Sequence, residues 1–465
     1  MHKLVAIASK RIILPFVLLA IVILAGAMGR APENTQIQIA MEQEADGRLT
    51  VTYELARYRK SLEFREIEGL YRKEHWKFET PGFRLVKYRG RDRIERLNGA
   101  KFGRLVISAT PNPHRFKKEY QPISRYGEGG VMIYSGHFWP VNARGNRVLV
   151  SFNFAPATGA QVVAFGEHSE ALTDWRSPLT HPAFIYMGPL EPVETPEVMA
   201  VVDPDAPQWI IDEFYDLTPR VFAHLADAFG FSQTTKPNLF LAAPLGEDEG
   251  RLSYAGDALP GQFQITLVGA AWKNQTQQAL DIFRSSTVHE AVHLWQAAAR
   301  PKGKGEVAWI HEGAADAIAA ESLLAINYWD ETDRAEYFVG ARDECAQGLE
   351  LGSLTSARER RSFRAMYACG HVIAAAVSAA EQRSVTEFWR AFISLSEDQN
   401  GYTEKMYFAL VLERTGNAQF VDQLRYFVRT PLANPDREIG RLLAAALSQG
   451  DAPDDEVPLA PTGRR

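Results

Sequence analysis

Ser285-Ser-Thr-Val-His289-Glu290-Ala291-Val292-His293-Leu-Trp-Gln296 carries two histidines four residues apart within a helical pattern. That spacing sets both imidazoles on one helix face, so two ring nitrogens can converge on one Zn2+. Glu290 follows the first histidine, close to the metal without binding it, where it can take a proton from the water the metal activates. Eighteen residues separate His293 from Glu312, which lies in a second helical stretch, Trp309-Ile-His-Glu312-Gly313-Ala-Ala-Asp316. A carboxylate from this helix completes a His2Glu ligand set and leaves the fourth tetrahedral position open, the arrangement of a catalytic rather than a structural zinc. Asp316, one turn beyond Glu312, is placed to accept the free ring N–H of a ligand histidine.

Composition limits what can surround this motif. The 465 residues are 46% hydrophobic and 23% charged, ordinary globular usage that excludes a disordered, collagen-like or coiled-coil chain. At roughly 150 residues per domain, the length calls for two or three domains. A formal charge of −6 lacks the basic balance that nucleic acid requires. Two cysteines, Cys345 and Cys369, cannot build a Cys-based zinc cluster, so the metal must be held by His and carboxylates. Their spacing allows them either to pair or to remain separate buried thiols. No Gly-x-Ser-x-Gly elbow supports a serine nucleophile.

At the N-terminus Lys3, Lys10 and Arg11 precede the uncharged run 12–29, which Arg30 closes. Basic then apolar is the order of an export signal, and the run exceeds the usual ~7–15 residue signal core to approach the ~20 that span a bilayer. Residues 1–30 therefore read as a signal-anchor, or as a signal peptide cleaved near Ala25-Gly26-Ala27. The body is expected on the extracytoplasmic side, tethered by a single N-terminal transmembrane helix, with the membrane as a partner.

Residues 31–187 show period-two alternation: Ile37, Ile39 and Met41, then Leu49, Val51, Tyr53 and Leu55, with further short strands near 131–134, 148–152 and 162–165. They read as an antiparallel, sandwich-like β domain. Its Lys/Arg-rich stretch from Arg57 to Arg96 also carries glutamates and reads as a solvated face. Five prolines crowd residues 188–207, expected to be a linker. Over 208–449 the period changes to 3.6. Thr218-Pro219 reads as the N-cap and first residue of a helix. Strand-like segments follow at 238–243 and 263–268, then helices near 275–300, 306–324, 331–347, 357–382, 385–396, 403–414, 418–428 and 436–448. Residues 450–465, acidic and proline-rich, read as a disordered tail. The fold class is multidomain α+β, with a β-rich domain ahead of a mainly helical one.

HExxH, an 18-residue gap and then Glu-Gly resemble the signature of the gluzincin metallopeptidases, within them the aminopeptidase-N and leukotriene-hydrolase branch and its glycyl-aminopeptidase relatives. The resemblance implies a thermolysin-like catalytic domain, with two motif helices beside a small sheet, preceded by an all-β domain. It implies one zinc on His289, His293 and Glu312, Glu290 as general base, and a peptide or protein substrate. In the family a tyrosine opening a Tyr-x-x-Gly helix, past the third ligand, hydrogen-bonds the oxyanion. Tyr367-Ala-Cys-Gly370 stands in that place, so the resemblance gives Tyr367 that role.

One departure bears on substrate. The aminopeptidase branch carries a Gly-x-x-Glu strand whose glutamate grips the substrate's free amine. Here the stretch Tyr254-Ala-Gly-Asp257-Ala-Leu-Pro-Gly-Gln262 has no glutamate. Asp257 reads as part of a surface turn, with a substitute amine anchor as the alternative. Aminopeptidase and endopeptidase action both stay open, as do a non-peptide substrate and a catalytically silent binding module on a peptidase fold. His371 reads as a core histidine, with a second oxyanion donor as the alternative, and His311 is expected to face away from the metal. Asn274-Gln-Thr276 matches a glycosylation sequon. Nothing in the sequence sets an oligomeric state.

Overall fold

The computed structural model of the protein describes residues 36–448, apart from 68–69, 112–118, 179–180, 248–249, 300, 303–306 and 400. The N-terminal segment 1–30 and the tail 450–465 lie outside the described residues. Two compact units interleave along the chain. The first takes residues 36–110, 137–157 and 170–176, and the second 111–136, 158–169 and 177–448.

The first unit is all β apart from a short helix. Its six-stranded sheet has the order β13 (Leu172–Trp175), β10 (Val150–Ala155), β1 (Ile37–Gln43), β2 (Leu49–Arg59), β7 (Phe102–Ala109) and β4 (Trp76–Phe78). A three-stranded sheet, β3 (Ser61–Arg65), β6 (Arg91–Arg96) and β5 (Phe83–Lys87), accompanies it. The period-two pattern appears as burial: Ile37, Ile39, Met41, Leu49, Val51 and Tyr53 are fully buried, with polar neighbours between most of them. β1 pairs antiparallel with β2 but parallel with β10, so the sheet is mixed rather than antiparallel throughout. Inside the unit Arg72 and Asp92 form a buried ion pair of 2.5 Å, and Arg72 also donates to the carbonyls of Arg65 and His137. The guanidinium is thereby held on several sides, which a buried charge requires.

The expected β domain ending at 187 does not match this division. Strands β8 (Ile123–Arg125), β9 (Val131–Tyr134), β11 (Gln161–Ala164), β12 (Glu167–Ser169) and β14 (Phe184–Gly188) form an antiparallel sheet that belongs to the second unit. The proline-rich stretch 188–207 is likewise not a linker. It supplies β15 (Val193–Glu194) and β16 (Met199–Val202) to a second sheet, of order β15, β16, β17 (Asn238–Ala242), β19 (Gln262–Val268) and β18 (Ser253–Leu259). Met199-Ala-Val-Val202 is apolar and buried on both faces, as an interior strand, antiparallel to β15 and parallel to β17, must be, and its prolines flank the strand instead of breaking its ladder.

Helices α1 (Gln208–Phe229), α2 (Gln277–Gln296), α3 (Ala308–Ala325), α4 (Glu331–Leu349), α5 (Phe363–Glu381), α6 (Val385–Asp398), α7 (Glu404–Thr415), α8 (Ala418–Arg429) and α9 (Pro435–Leu447) complete the second unit. From α2 onward they follow the sequence expectation closely. α1 does not, because Pro219 sits inside it and the helix begins eleven residues earlier, after Pro207. Ile210, Phe214 and Leu217 extend the apolar stripe of Val221, Phe222 and Leu225, and burial of that stripe outweighs the hydrogen bond Pro219 removes. Cys345 on α4 and Cys369 on α5 are joined as a disulfide. α5 is long and apolar enough to cross a membrane, yet Val372, Ile373, Ala376 and Val377 are buried in the core, as in the central helix of a soluble fold.

Candidate metal centre

α2 begins at Thr276, whose hydroxyl accepts the Ala279 N–H, and packs against β18, β19 and α3. Its second half is buried all round. Ser285 and Ser286 survive there by donating to the carbonyls of Asp281 and Phe283 in their own helix. His289 and Glu290 have no such local outlet, and both are buried.

The three expected ligands come together. The Nε2 atoms of His289 and His293 lie 3.0 Å apart, and Glu312 Oε2 is 3.4 Å from the first and 3.3 Å from the second. Beyond the rings, Asp316 Oδ1 lies 2.6 Å from His289 Nδ1, and Gln296 Oε1 lies 2.8 Å from His293 Nδ1. Gln296 Nε2 donates to the His311 carbonyl at 3.1 Å, which fixes the amide with its oxygen towards His293. Both Nδ1 atoms therefore face acceptors and carry the protons, leaving two Nε2 lone pairs and a carboxylate oxygen aimed at one point. Such a donor set suits a single Zn2+ and leaves one position open.

Burial opposes charge on the His289 ring, but Asp316 and Glu312 outweigh it and hold that imidazole well above its ordinary pKa. Burial likewise pushes Glu312 up, yet hydrogen bonds from His289, His293 and His311 bring it well below the usual carboxylate range. Glu290 is raised, chiefly by burial. Its carboxylate lies against the backbone of Gly256 on β18. Tyr367, at the start of α5, stacks on His289 with ring centroids 5.7 Å apart, and its hydroxyl is in hydrogen-bond contact with Glu312. Burial and the neighbouring carboxylates raise that hydroxyl well above 10. α3 and α5 come this close because Gly313 and Gly370 face one another without side chains.

Two sequence expectations are corrected and a third, the core place of His371, agrees with the structure. Asp257 does not sit in a surface turn: it lies in edge strand β18, where it accepts from Gln264 Nε2 at 2.5 Å. His311 does not face away. Its Nε2 is 3.6 Å from Glu312 Oε1 and its Nδ1 is 3.0 Å from the Tyr402 hydroxyl, since neighbours on a helix diverge by only about 100° and a flat ring can still reach the rim. His371 lies in the core, between the rings of Tyr337 and Phe338, and burial lowers its pKa to about 4. Gln296 has no role in the sequence reading, although its place one turn beyond His293 on the same helix was a signal for it. Tyr402 and Tyr120 carry no sequence signal; the hydroxyl of half-buried Tyr120 is raised chiefly by its own burial, with smaller contributions from Tyr134 and from Asp257, Glu290 and Glu312.

No protein-family model matches the sequence, and no curated protein matches it. Solved structures do. An aminopeptidase N family protein from Idiomarina loihiensis superposes with a TM-score of 0.64 at 12% identity, over 87% of this chain and 78% of that one. A two-domain M1 zinc metallopeptidase variant bound to L-arginine gives a TM-score of 0.50 at 15% identity, over 86% and 95%. Yeast LTA4 hydrolase in complex with bestatin gives 0.52 at 11% identity, over 91% and 73%. At these identities the likeness is one of fold: the chain shares with these structures a mixed α+β architecture with N-terminal sheets and a helical C-terminal region.

Proposed function

We propose that the protein is an exported, membrane-anchored zinc metallopeptidase with a thermolysin-like catalytic domain. The observation that carries this reading is the convergence of His289, His293 and Glu312 on one point, with Glu290 and Tyr367 facing it. When bound, Zn2+ supplies a Lewis acid that polarises the scissile carbonyl and lowers the pKa of water towards about 7. Asp316 and Gln296 hold the two ring tautomers that such binding needs. Glu290, raised by its burial, accepts the proton of the attacking water and passes it to the leaving amine. Tyr367 donates to the developing oxyanion, a contribution of about 2.7–4 kcal/mol per donor. The L-arginine held by the two-domain relative supports a site that admits amino-acid side chains. The basic-then-apolar N-terminus and the Cys345–Cys369 disulfide, a bond typical of oxidising compartments, support export.

The test is incubation of the protein with a complex peptide mixture, mapping new termini by mass spectrometry with the Glu290→Gln protein as blank. Cuts confined to peptide N-termini define an aminopeptidase, and internal cuts an endopeptidase. A pattern identical to the blank removes the peptidase reading.

A further inference from the structure

The basic stretch of the first unit resolves into two classes of cation. Its described residues carry 19 Lys and Arg against 12 Asp and Glu, in a chain whose overall charge is −6. Seven of the twelve acids are already matched: Glu63 by Arg91 and Arg93, Glu95 by Arg84, Glu54 by Arg104, Glu66 by Lys87, Asp92 by Arg72 and Lys87, Glu79 by Lys77 and Asp46 by Arg48. Arg57, Lys60 and Lys101 are exposed and have no carboxylate in ion-pair contact among the described residues.

Lys60 and Lys101 meet at one corner, and Arg57 precedes Lys60 by three residues near the end of β2. Arg59 pairs with Phe102 across β2 and β7, which sets Lys60 and Lys101 beside one another, and Ser61 pairs with Glu95, which brings the 97–101 turn to the same end. Two large apolar side chains stand out among them, Tyr58 at 71% exposure and Leu97 at 63%. A basic cluster around projecting Tyr and Leu side chains is the composition of a surface that sits at a lipid headgroup layer.

The position of the corner on the chain identifies the occupant. Arg59 donates to the Gln36 side chain at 2.9 Å, and the Ala56 N–H donates to the Gln36 carbonyl at 3.1 Å. Gln36 is the first described residue, and only residues 30–35 separate it from the apolar run 12–29. At about 3.5 Å per extended residue, six residues reach roughly 20 Å at most. We infer that Arg57, Lys60 and Lys101, with Tyr58 and Leu97, seat the first unit on the anionic phospholipid surface beside its own anchor. This rests on the proposed anchoring by residues 1–30. Anionic headgroups attract each such cation within a Debye length, and the apolar pair inserts at the interface.

The test uses the full chain in vesicles. The two native cysteines are bonded to each other, so a spin label goes only to a cysteine added by Tyr58→Cys, Leu97→Cys or, as control on α4, Val339→Cys. In phosphatidylcholine with ~30% phosphatidylglycerol, labels at 58 and 97 should lose at least about fivefold in accessibility to an aqueous nickel chelate, relative to phosphatidylcholine alone. The control should not change. Adding Arg57→Glu, Lys60→Glu and Lys101→Glu should abolish the protection while peptide turnover stays unchanged. Equal accessibility in both vesicles, with the chain floating in each, overturns the patch and leaves the anchor. Flotation with anionic vesicles alone, reversed by salt, supports the patch and overturns the anchor. Flotation with neither overturns both.

Discussion

The Glu290 carboxylate rests on the backbone of Gly256: a Cβ at that glycine would fall 2.0 Å from Oε1 and 2.4 Å from Cδ. The obstacle is the end of a flexible side chain, so Gly256→Ala is accommodated by moving Glu290 and not by distorting the strand. Alanine in a strand is otherwise no worse than glycine. Turnover should fall by at least about tenfold, towards the 10²–10⁴ a general base supplies. Zinc content and unfolding midpoint should be nearly unchanged. Undiminished peptide turnover in this variant would remove Glu290 from the contact described.

Gly313 and Gly370 behave differently, because there backbone meets backbone. A Cβ on Gly370 would stand 2.1 Å from the Trp309 carbonyl oxygen, and one on Gly313 2.1 Å from the Gly370 carbonyl carbon. Neither atom can swing aside. Gly370→Ala should cost about 1–3 kcal/mol in denaturant unfolding despite alanine's better helix propensity. It should also lower turnover by separating Tyr367 from Glu312. A stabilised variant would show that α3 and α5 are free to part.

Asp316→Ala and Gln296→Ala each release one ligand ring from its acceptor. Chelator competition should show zinc bound about 10–100-fold more weakly in either variant. Glu312→Ala should retain no stoichiometric zinc by elemental analysis. If either positioning variant binds zinc as tightly as the parent, the ring orientations are set by packing alone.

Zinc removal should lower stability, since α2 and α3 supply the ligands jointly. With free zinc near 1,000 times its Kd, linkage adds about 4 kcal/mol over the stripped protein. That increment should vanish in Glu312→Ala, as read by thermal unfolding with and without chelator.

His371 makes stability depend on pH. Its folded pKa is about 4, below the ~6.5 of an exposed imidazole, because burial disfavours the cation. Above pH ~6.5 both states hold it neutral and the full stability is present. Below that the unfolded state takes up a proton that the folded state refuses, so stability falls until about pH 4, by about 3 kcal/mol. In zinc-stripped protein, His371→Leu should flatten the difference between pH 7.5 and 4.5. An unchanged slope would mean that the ring gains a partner on protonation.

Where the sequence was legible, the reason was local. α6 begins with Ser384 and Glu387 in a capping box, and α9 with Asn434 ahead of Pro435, signals carried by adjacent residues. The ligand set was legible because helical spacing alone places His289 and His293 together. β16 was hidden because its burial comes from pairing with β17, some forty residues on, which no local pattern encodes. Asp257 was misplaced for the same reason: its strand exists through β19. Pro219 misled because the stripe on both sides of it belongs to one helix, so packing overrode a strong local stop signal.

The interleaving of the two units also sets an order of events. β1 is the first described strand to leave the ribosome, yet one of its two neighbours in the sheet, β10, pairs Val150 with Ile37, and β10 is in turn closed by β13 at 172–175. Between them the chain has already contributed β8 and β9 to the other unit. The first unit therefore cannot finish folding before segments of the second have been laid down between its own strands. Its ladder closes only after strands of its neighbour have been laid down, a high-contact-order assembly whose early, half-paired β1 edge has to be kept from other chains until residue 175 has arrived.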